Sequence, residues 1–338
     1  MKYKTLIKSG INTYYREGLR SLLIKSASYV SGKLSPRPAV ANKSTLLPFW
    51  LLKYLYNLLF IIKHGRGVKV MDEDWDTLIL LDACRYDDFE KVSNIQGKLS
   101  TKISRGVDSH EFIQRNFVDE QFWDTVYVTA NPHVKLIDDT VFHDVITDPI
   151  SKWDSHTQCV PPEAVTETAI EAHRTYPNKR IIVHYMQPHD PPLGPTANEL
   201  RQKAEIGGTA PGENEQSGQR IMELIANGEI PEETAHEAYR ETLEIALEEA
   251  TSLIDAIDGK IVISADHGEM FGESPYPLLG KLYEHYRNPK TLELCEVPWF
   301  VVSGDNQRRK IKKGSGENNI QTFNDEVIEN QLEALGYK

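Results

Sequence analysis

Two aspartates and a histidine stand where short apolar runs of this chain end. Residues 77–81 (TLILL) lead into Asp82, and residues 260–264 (KIVIS) lead through Ala265 into Asp266, His267, Gly268 and Glu269. Two further runs also end in polar residues: 180–185 (RIIVHY) before Met186-Gln187-Pro188-His189-Asp190, and 125–128 (TVYV) before Thr129-Ala130-Asn131. Carboxylates bring negative charge to a cation, and an imidazole adds a borderline-soft nitrogen. Asp82, Asp266 and His267 therefore form a ligand set acceptable to Zn²⁺ or Mn²⁺. Gly268 lets the backbone turn sharply behind the pair. The competing reading of the same residues is that Asp266 caps a turn and His267 faces water.

These residues serve one site only if the fold brings the ends of the runs to one edge. Short continuous apolar runs bounded by polar residues have the pattern of strands covered on both faces. A fifth run, 299–302 (WFVV), is opened by Pro298. Amphipathic stretches fill the gaps. The clearest is 231–257, with apolar residues at three- and four-residue steps; 162–176 and 108–117 follow, and Asp108 and Glu111 have capping-box spacing. This alternation predicts an α/β fold with a mainly parallel central sheet and helices on both faces. In such sheets ligands bind beyond the carboxyl ends of the strands, which is where the polar residues would gather. Residues 193–230 are polar and read as an insertion, or lid, over that edge.

The segments ILLDACRYDDF, HYMQPHDPP and SADHGE, in that order, resemble the alkaline phosphatase superfamily and its sulfatase-like branch over roughly residues 72–303. The resemblance implies that Asp82, Asp266 and His267 hold a divalent metal, with Zn or Mn favoured and Mg or Ca also compatible. It implies a nucleophile between about residues 95 and 120. Ser109 and Ser104 both lie there. Ser109 is favoured because it sits in the first turn of the predicted helix, where free N–H groups and the helix dipole stabilise an oxyanion. His189 and His285 match family histidines that contact the transferred group or a second metal. Arg85 either clamps an anionic oxygen or pairs with Asp87 or Asp88. Glu269 is expected to orient His267, and His184 is read as a core histidine. The C/S-x-P-x-R motif of formylglycine sulfatases is missing from the sequence, and Cys84 is read as a structural thiol. The implied activity is hydrolysis or transfer of a phosphate or sulfate ester through a covalent Ser intermediate, with glycans or lipid head groups among the substrates. The alternative is a non-catalytic binding protein that retains the fold.

Charge is distributed unevenly. Residues 1–45 hold nine Lys/Arg and one acid, Glu17, whereas the remainder holds 29 basic and 49 acidic residues. So acidic a body disfavours nucleic acid as a partner, and the basic arm suits an anionic surface. Three widely spaced cysteines form no disulfide framework, which points to a reducing, cytoplasmic setting with peripheral membrane contact. Residues 46–66, after the arm of 1–45, contain the apolar run LLPFWLLKYLYNLLFII. It is at the short limit for a membrane span and carries Lys53 and Asn57 on one helical face. It is expected to lie on a membrane, extending the contact over residues 1–62, or to pack on the catalytic domain of 67–338 or on a second subunit.

Overall fold

All six residues of the strand Thr77–Asp82 are buried, and consecutive side chains enter different cores. Leu78 and Leu80 join one apolar cluster; Ile79 and Leu81 join another. Period-two alternation with both faces apolar is the mark of a strand at the centre of a covered sheet.

The computed structural model describes residues 49–203, 220–286, 288–304, 308–314 and 331–332. The basic arm of 1–45 and the middle of the 193–230 segment lie outside them. In chain order the elements are α1 (Phe49–His64), β1 (Thr77–Asp82), α2 (Tyr86–Val92), β2 (Gly97–Ile103), α3 (Ser109–Asn116), β3 (Phe122–Thr129) and β4 (Phe142–Ile146). They continue as α4 (Pro162–Thr175), β5 (Arg180–Pro188), α5 (Pro195–Gln202), α6 (Ile221–Asn227) and α7 (Glu232–Ala256). The last are β6 (Ile261–Ala265), β7 (Phe271–Glu273), β8 (Leu282–Tyr283), α8 (Leu292–Cys295) and β9 (Glu296–Val302).

Seven strands form the central sheet in the order β2-β9-β6-β1-β5-β3-β4, and β7 pairs with β8 separately. Pairing is parallel from β6 through β1, β5 and β3 to β4. β9 runs antiparallel to both of its neighbours. The sheet is thus mainly parallel, as the alternation of runs predicts. One face is covered by α4 and α7, whose Val165, Ala169, Leu243, Leu247 and Leu253 pack on Ile79, Val126, Val183 and Ile263. The other is covered by α3 and the 3-10 turns, through Phe112, Ile113, Val134 and Val70 against Leu80, Tyr127, Ile182 and Val262. Each fully buried side chain of this size contributes about 2 kcal/mol.

The reversed β9 matters for the site. The carboxyl ends of β1, β3, β5 and β6 share one rim, and β9 begins there. The segment leading into β9, which carries His285, therefore returns to that rim. The 193–230 segment is only partly the loop expected. α5 and α6 lie within it and form an apolar cluster with α7, made by Ala197, Leu200, Ile221 and Leu224 against Ala235, Ala238 and Tyr239.

The apolar run packs on the main body, with an orientation its sequence does not announce. Leu52, Tyr56 and Phe60 of α1 are buried against Val107, Met270, Leu282 and Cys295. Asn57, which shares a helical face with Lys53, accepts a hydrogen bond from the Lys290 backbone N–H at 2.6 Å.

Candidate active site

Asp82 is the last residue of β1, and the chain turns at once. Ala83 has φ of +62°, a left-handed conformation that residues with a Cβ rarely adopt. Two contacts hold this turn. The Ala83 N–H donates to Asp266 Oδ1 at 3.1 Å, and the Tyr239 hydroxyl donates to the Ala83 carbonyl at 2.8 Å. Strain retained at a strand end beside buried acids is characteristic of functional sites.

Asp266 follows β6, is fully buried, and takes a second backbone donor on Oδ1 from the His267 N–H at 2.8 Å. Gly268 is required behind it: a Cβ there would stand 2.0 Å from the Glu293 carbonyl oxygen. The His267 ring is held by its Nδ1, which donates to the Gly268 carbonyl at 2.8 Å. Its Nε2 faces Asp82 Oδ1 at 3.3 Å and Asp266 Oδ2 at 3.6 Å.

Ser109 is the first residue of α3, behind the N-cap Asp108. The Asp108 side chain accepts from the Glu111 N–H at 2.7 Å. The reciprocal bond of the expected box is displaced by one residue, with Glu111 Oε2 accepting from the Val107 N–H at 3.0 Å. The Ser109 hydroxyl lies 2.7 Å from Asp266 Oδ2, 3.1 Å from Asp82 Oδ2 and 3.4 Å from His267 Nε2. Ser104 is occupied differently: its hydroxyl donates to the Asp266 carbonyl and accepts from the Gly106 N–H, shaping the loop.

Charge within this group is unbalanced. Burial would raise the Asp266 pKa, but the imidazoles of His267 and His184 outweigh it and hold the carboxyl well below the carboxylate range. Burial would likewise lower His267, yet the Asp266 and Asp82 carboxylates outweigh it and lift the ring to about 10. Asp82 Oδ1 and His184 Nε2 are buried with no hydrogen-bond partner, and Asp82, His184 and Asp266 offer ligand atoms within 4.8 Å of one another. Buried polar atoms are normally paired, so an Asp82 oxygen that accepts no hydrogen bond, beside a second buried carboxylate, fits a cation. Asp82, Asp266 and His267, with His184 alongside, have the donor chemistry of such a site.

His285 lies beside His267, with ring centroids 4.4 Å apart, and His189 lies 5.0 Å from His285. The orienting role expected of Glu269 toward His267 goes elsewhere: its carboxyl meets His285 Nδ1 at 2.9 Å. Burial pushes Glu269 up to about 7, while burial and the neighbouring histidines keep His285 well below its ordinary value. Arg220, the N-cap of α6 within the 193–230 segment, reaches Glu284 at 3.1 Å and Asp190 at 3.5 Å, tying that segment to the neighbours of both histidines.

Arg85 does not join the group. Its guanidinium donates to both oxygens of Asp87 at 2.9 Å, to Glu273 at 2.5 Å and to the Glu269 carbonyl, which is the pairing alternative left open by the sequence. Cys84 is fully buried, and burial next to Asp88 and Asp266 raises its thiol well above the usual value. Such a thiol is inert.

Two contributors escape a reading by residue type. His184, read as a core histidine, does bond the Tyr127 hydroxyl through Nδ1 at 2.7 Å, but its Nε2 comes within 3.5 Å of Asp266 Oδ2. Asn131 donates to Asp82 Oδ2 at 2.7 Å. The available signal for His184 was an imidazole inside an otherwise apolar central strand, in register with Leu80, two residues before Asp82.

No family model and no curated protein matches this chain. Among solved structures, it is similar to the C-terminal periplasmic domain of a phosphoethanolamine transferase from Campylobacter jejuni, at 13% identity over 68% of this chain and 78% of that one, with a TM-score of 0.41. It is similar to an integral membrane lipooligosaccharide phosphoethanolamine transferase from Neisseria meningitidis, at 12% identity over 88% of this chain and 59% of that one, TM-score 0.42. It is also similar to an alkaline phosphatase superfamily protein from Vibrio parahaemolyticus, at 13% identity over 71% and 62%, TM-score 0.35. Likeness of this degree assigns no residue role.

Proposed function

We propose that this chain is a metal-dependent enzyme that hydrolyses or transfers a phosphate or sulfate ester through an ester on Ser109. The observation that carries the reading is the position of the Ser109 hydroxyl, 2.7 to 3.4 Å from two buried carboxylates and an imidazole. A serine kept merely to begin a helix has no need of that company.

Asp82, Asp266 and His267 would hold the divalent cation, which when bound lowers the pKa of a ligating hydroxyl and neutralises charge on the transferred group. Asp266 and Asp82 orient the Ser109 oxygen, and the hydroxyl proton is lost to solvent as the oxygen attacks. The oxygen attacks phosphorus or sulfur as the bond to the leaving oxygen breaks, and the leaving oxygen takes up a proton. The first turn of α3 supports negative charge at the attacked centre. His189 and His285 line the side on which non-bridging oxygens would lie. Water, or an acceptor hydroxyl, then removes the group and restores the serine.

The test uses nitrophenyl phosphate, bis-nitrophenyl phosphate and nitrophenyl sulfate with Zn²⁺, Mn²⁺, Mg²⁺ and Ca²⁺ in parallel. Ser109→Ala is expected to lower turnover of the best probe by about a thousand-fold or more while bound metal is retained. Mass spectrometry of the quenched wild-type reaction is expected to find the group on Ser109. A fully active Ser109→Ala variant refutes this reading and turns attention to Ser104. A metal-free wild type that cleaves none of the probes favours the binding-protein alternative.

A further inference from the structure

α1 is apolar on the wrong side for a helix packed on a globular body. Its inner contacts are made by Leu52, Tyr56 and Phe60, and the Tyr56 ring stacks on Tyr276 at 4.2 Å between centroids. The outward stripe is Leu51, Leu55, Leu58 and Ile62, at steps of four, three and four, with exposures of 39%, 45%, 45% and 73%. Tyr54 and Leu59 widen it. Surface helices ordinarily turn charged residues outward, and a contiguous apolar face of this kind marks a surface that is covered in use. Beside its end is a groove of about 320 Å3, lined by Leu59, Lys63, His64, Tyr276, Leu292 and Glu293.

Charge indicates what does the covering. Residues 1–71 contain thirteen Lys/Arg and a single acid, Glu17, whereas residues 72–338 contain 25 basic and 49 acidic residues. The apolar stripe thus lies in the one strongly cationic stretch of an acidic protein. Paired copies of this face in a two-fold dimer would bring like-charged segments together. No helix among the described residues is long and apolar enough to cross a membrane. An apolar stripe flanked by lysines and arginines, on a helix too short to span, suits the boundary between acyl chains and anionic head groups.

We infer that the outer face of α1 docks this protein on an anionic lipid bilayer, with Leu51, Leu55, Leu58 and Ile62 entering the acyl boundary and the exposed Lys63 and Arg66 meeting the head groups. This inference stands apart from the reading of the metal site. It differs from tethering by a flexible arm, because α1 is fixed to the body. Val107 and Met270, which it packs against, lie two residues before Ser109 and three after His267. Docking through α1 would therefore hold the rim at a set orientation to the bilayer.

The test is flotation of the full-length chain with phosphatidylcholine vesicles, with and without phosphatidylglycerol, beside size-exclusion chromatography. The wild type is expected to float with the phosphatidylglycerol vesicles and much less with phosphatidylcholine alone. The combined variant Leu55→Glu, Leu58→Glu, Ile62→Glu replaces exposed side chains only, so its thermal midpoint is expected to hold. Its floated fraction is expected to fall about ten-fold or more. Flotation of that variant equal to wild type overturns the inference, since the flanking basic residues would then suffice. Equal wild-type flotation on both vesicle types removes the anionic surface and also overturns it. So does a wild-type dimer that floats with neither and that the variant converts to monomer, because a second copy would then be the occupant.

Discussion

Asp82 and Asp88 are near neighbours in the chain, and neither touches water, yet their surroundings are opposite. Asp88 is saturated with donors. His236 Nε2 stands 2.7 Å from one oxygen, Arg240 Nε 2.9 Å from the other, and Arg85 Nε at 3.5 Å. These contacts fasten α2 to α7. Asp82 shares the serine hydroxyl with a second buried carboxylate, receives one amide donor, and keeps an oxygen that accepts no hydrogen bond, with His267 Nε2 3.3 Å away. A fold can use a buried acid as a rivet by surrounding it with donors, or hold it short of donors for another purpose. The second arrangement costs stability and points to a ligand that restores the balance.

The largest effect that separates the two clusters is metal removal. Exhaustive chelation followed by desalting is expected to lower turnover of the best probe about a thousand-fold and to lower the thermal midpoint, with both restored by Zn²⁺ or Mn²⁺. Turnover unaffected by stripping would place the two acids in the same structural class. The next effect belongs to Asp88. Asp88→Ala removes the acceptor shared by His236 and Arg240 and is expected to cost about 2 kcal/mol in chemical unfolding. The same residue gives a pH signature. Burial would raise Asp88, but His236 and Arg240 outweigh it and hold the carboxyl at about 2, below its ordinary value. Its folded pKa is depressed, so its contribution is fully present above about pH 4 and is lost as pH falls through about 2. That contribution is about 2 kcal/mol, and Asp88→Ala should flatten this part of the acid unfolding curve. The smallest effect has the opposite sign. Asp82→Asn removes one of two crowded carboxylates, so it is expected to stabilise the metal-stripped protein by about 1 kcal/mol while weakening metal retention. Destabilisation of that stripped variant would show that Asp82 is riveted after all.

The parallel centre of the sheet was legible because β1, β5 and β6 are buried on both faces and so read as unbroken apolar runs. The edges were not. β2 (GKLSTKI) is half exposed and carries lysines, a usual guard on an edge strand, and these dilute its pattern. β4 is short and contains a His and an Asp. Within the site, Asp82, Asp266 and His267 could be found because each ends an apolar run. Ser109 needed the resemblance in addition to its helix-start position. The commitment of Arg85 to Asp87 and Glu273, and of Glu269 to His285, depends on contacts distant in sequence. So does the outward turn of the α1 stripe, since a run apolar on nearly all sides does not say which side the body will take.

The single reversed strand also bears on how this architecture can vary. Because β9 starts at the rim where its parallel neighbours finish, the stretch between β8 and β9 is a detour whose two ends are anchored on the same side of the sheet. Residues could be added or removed within it without shifting strand register. The reach and shape of the mouth over His285 could thus diverge among related chains while the frame that carries Asp82, Asp266 and His267 stayed constant.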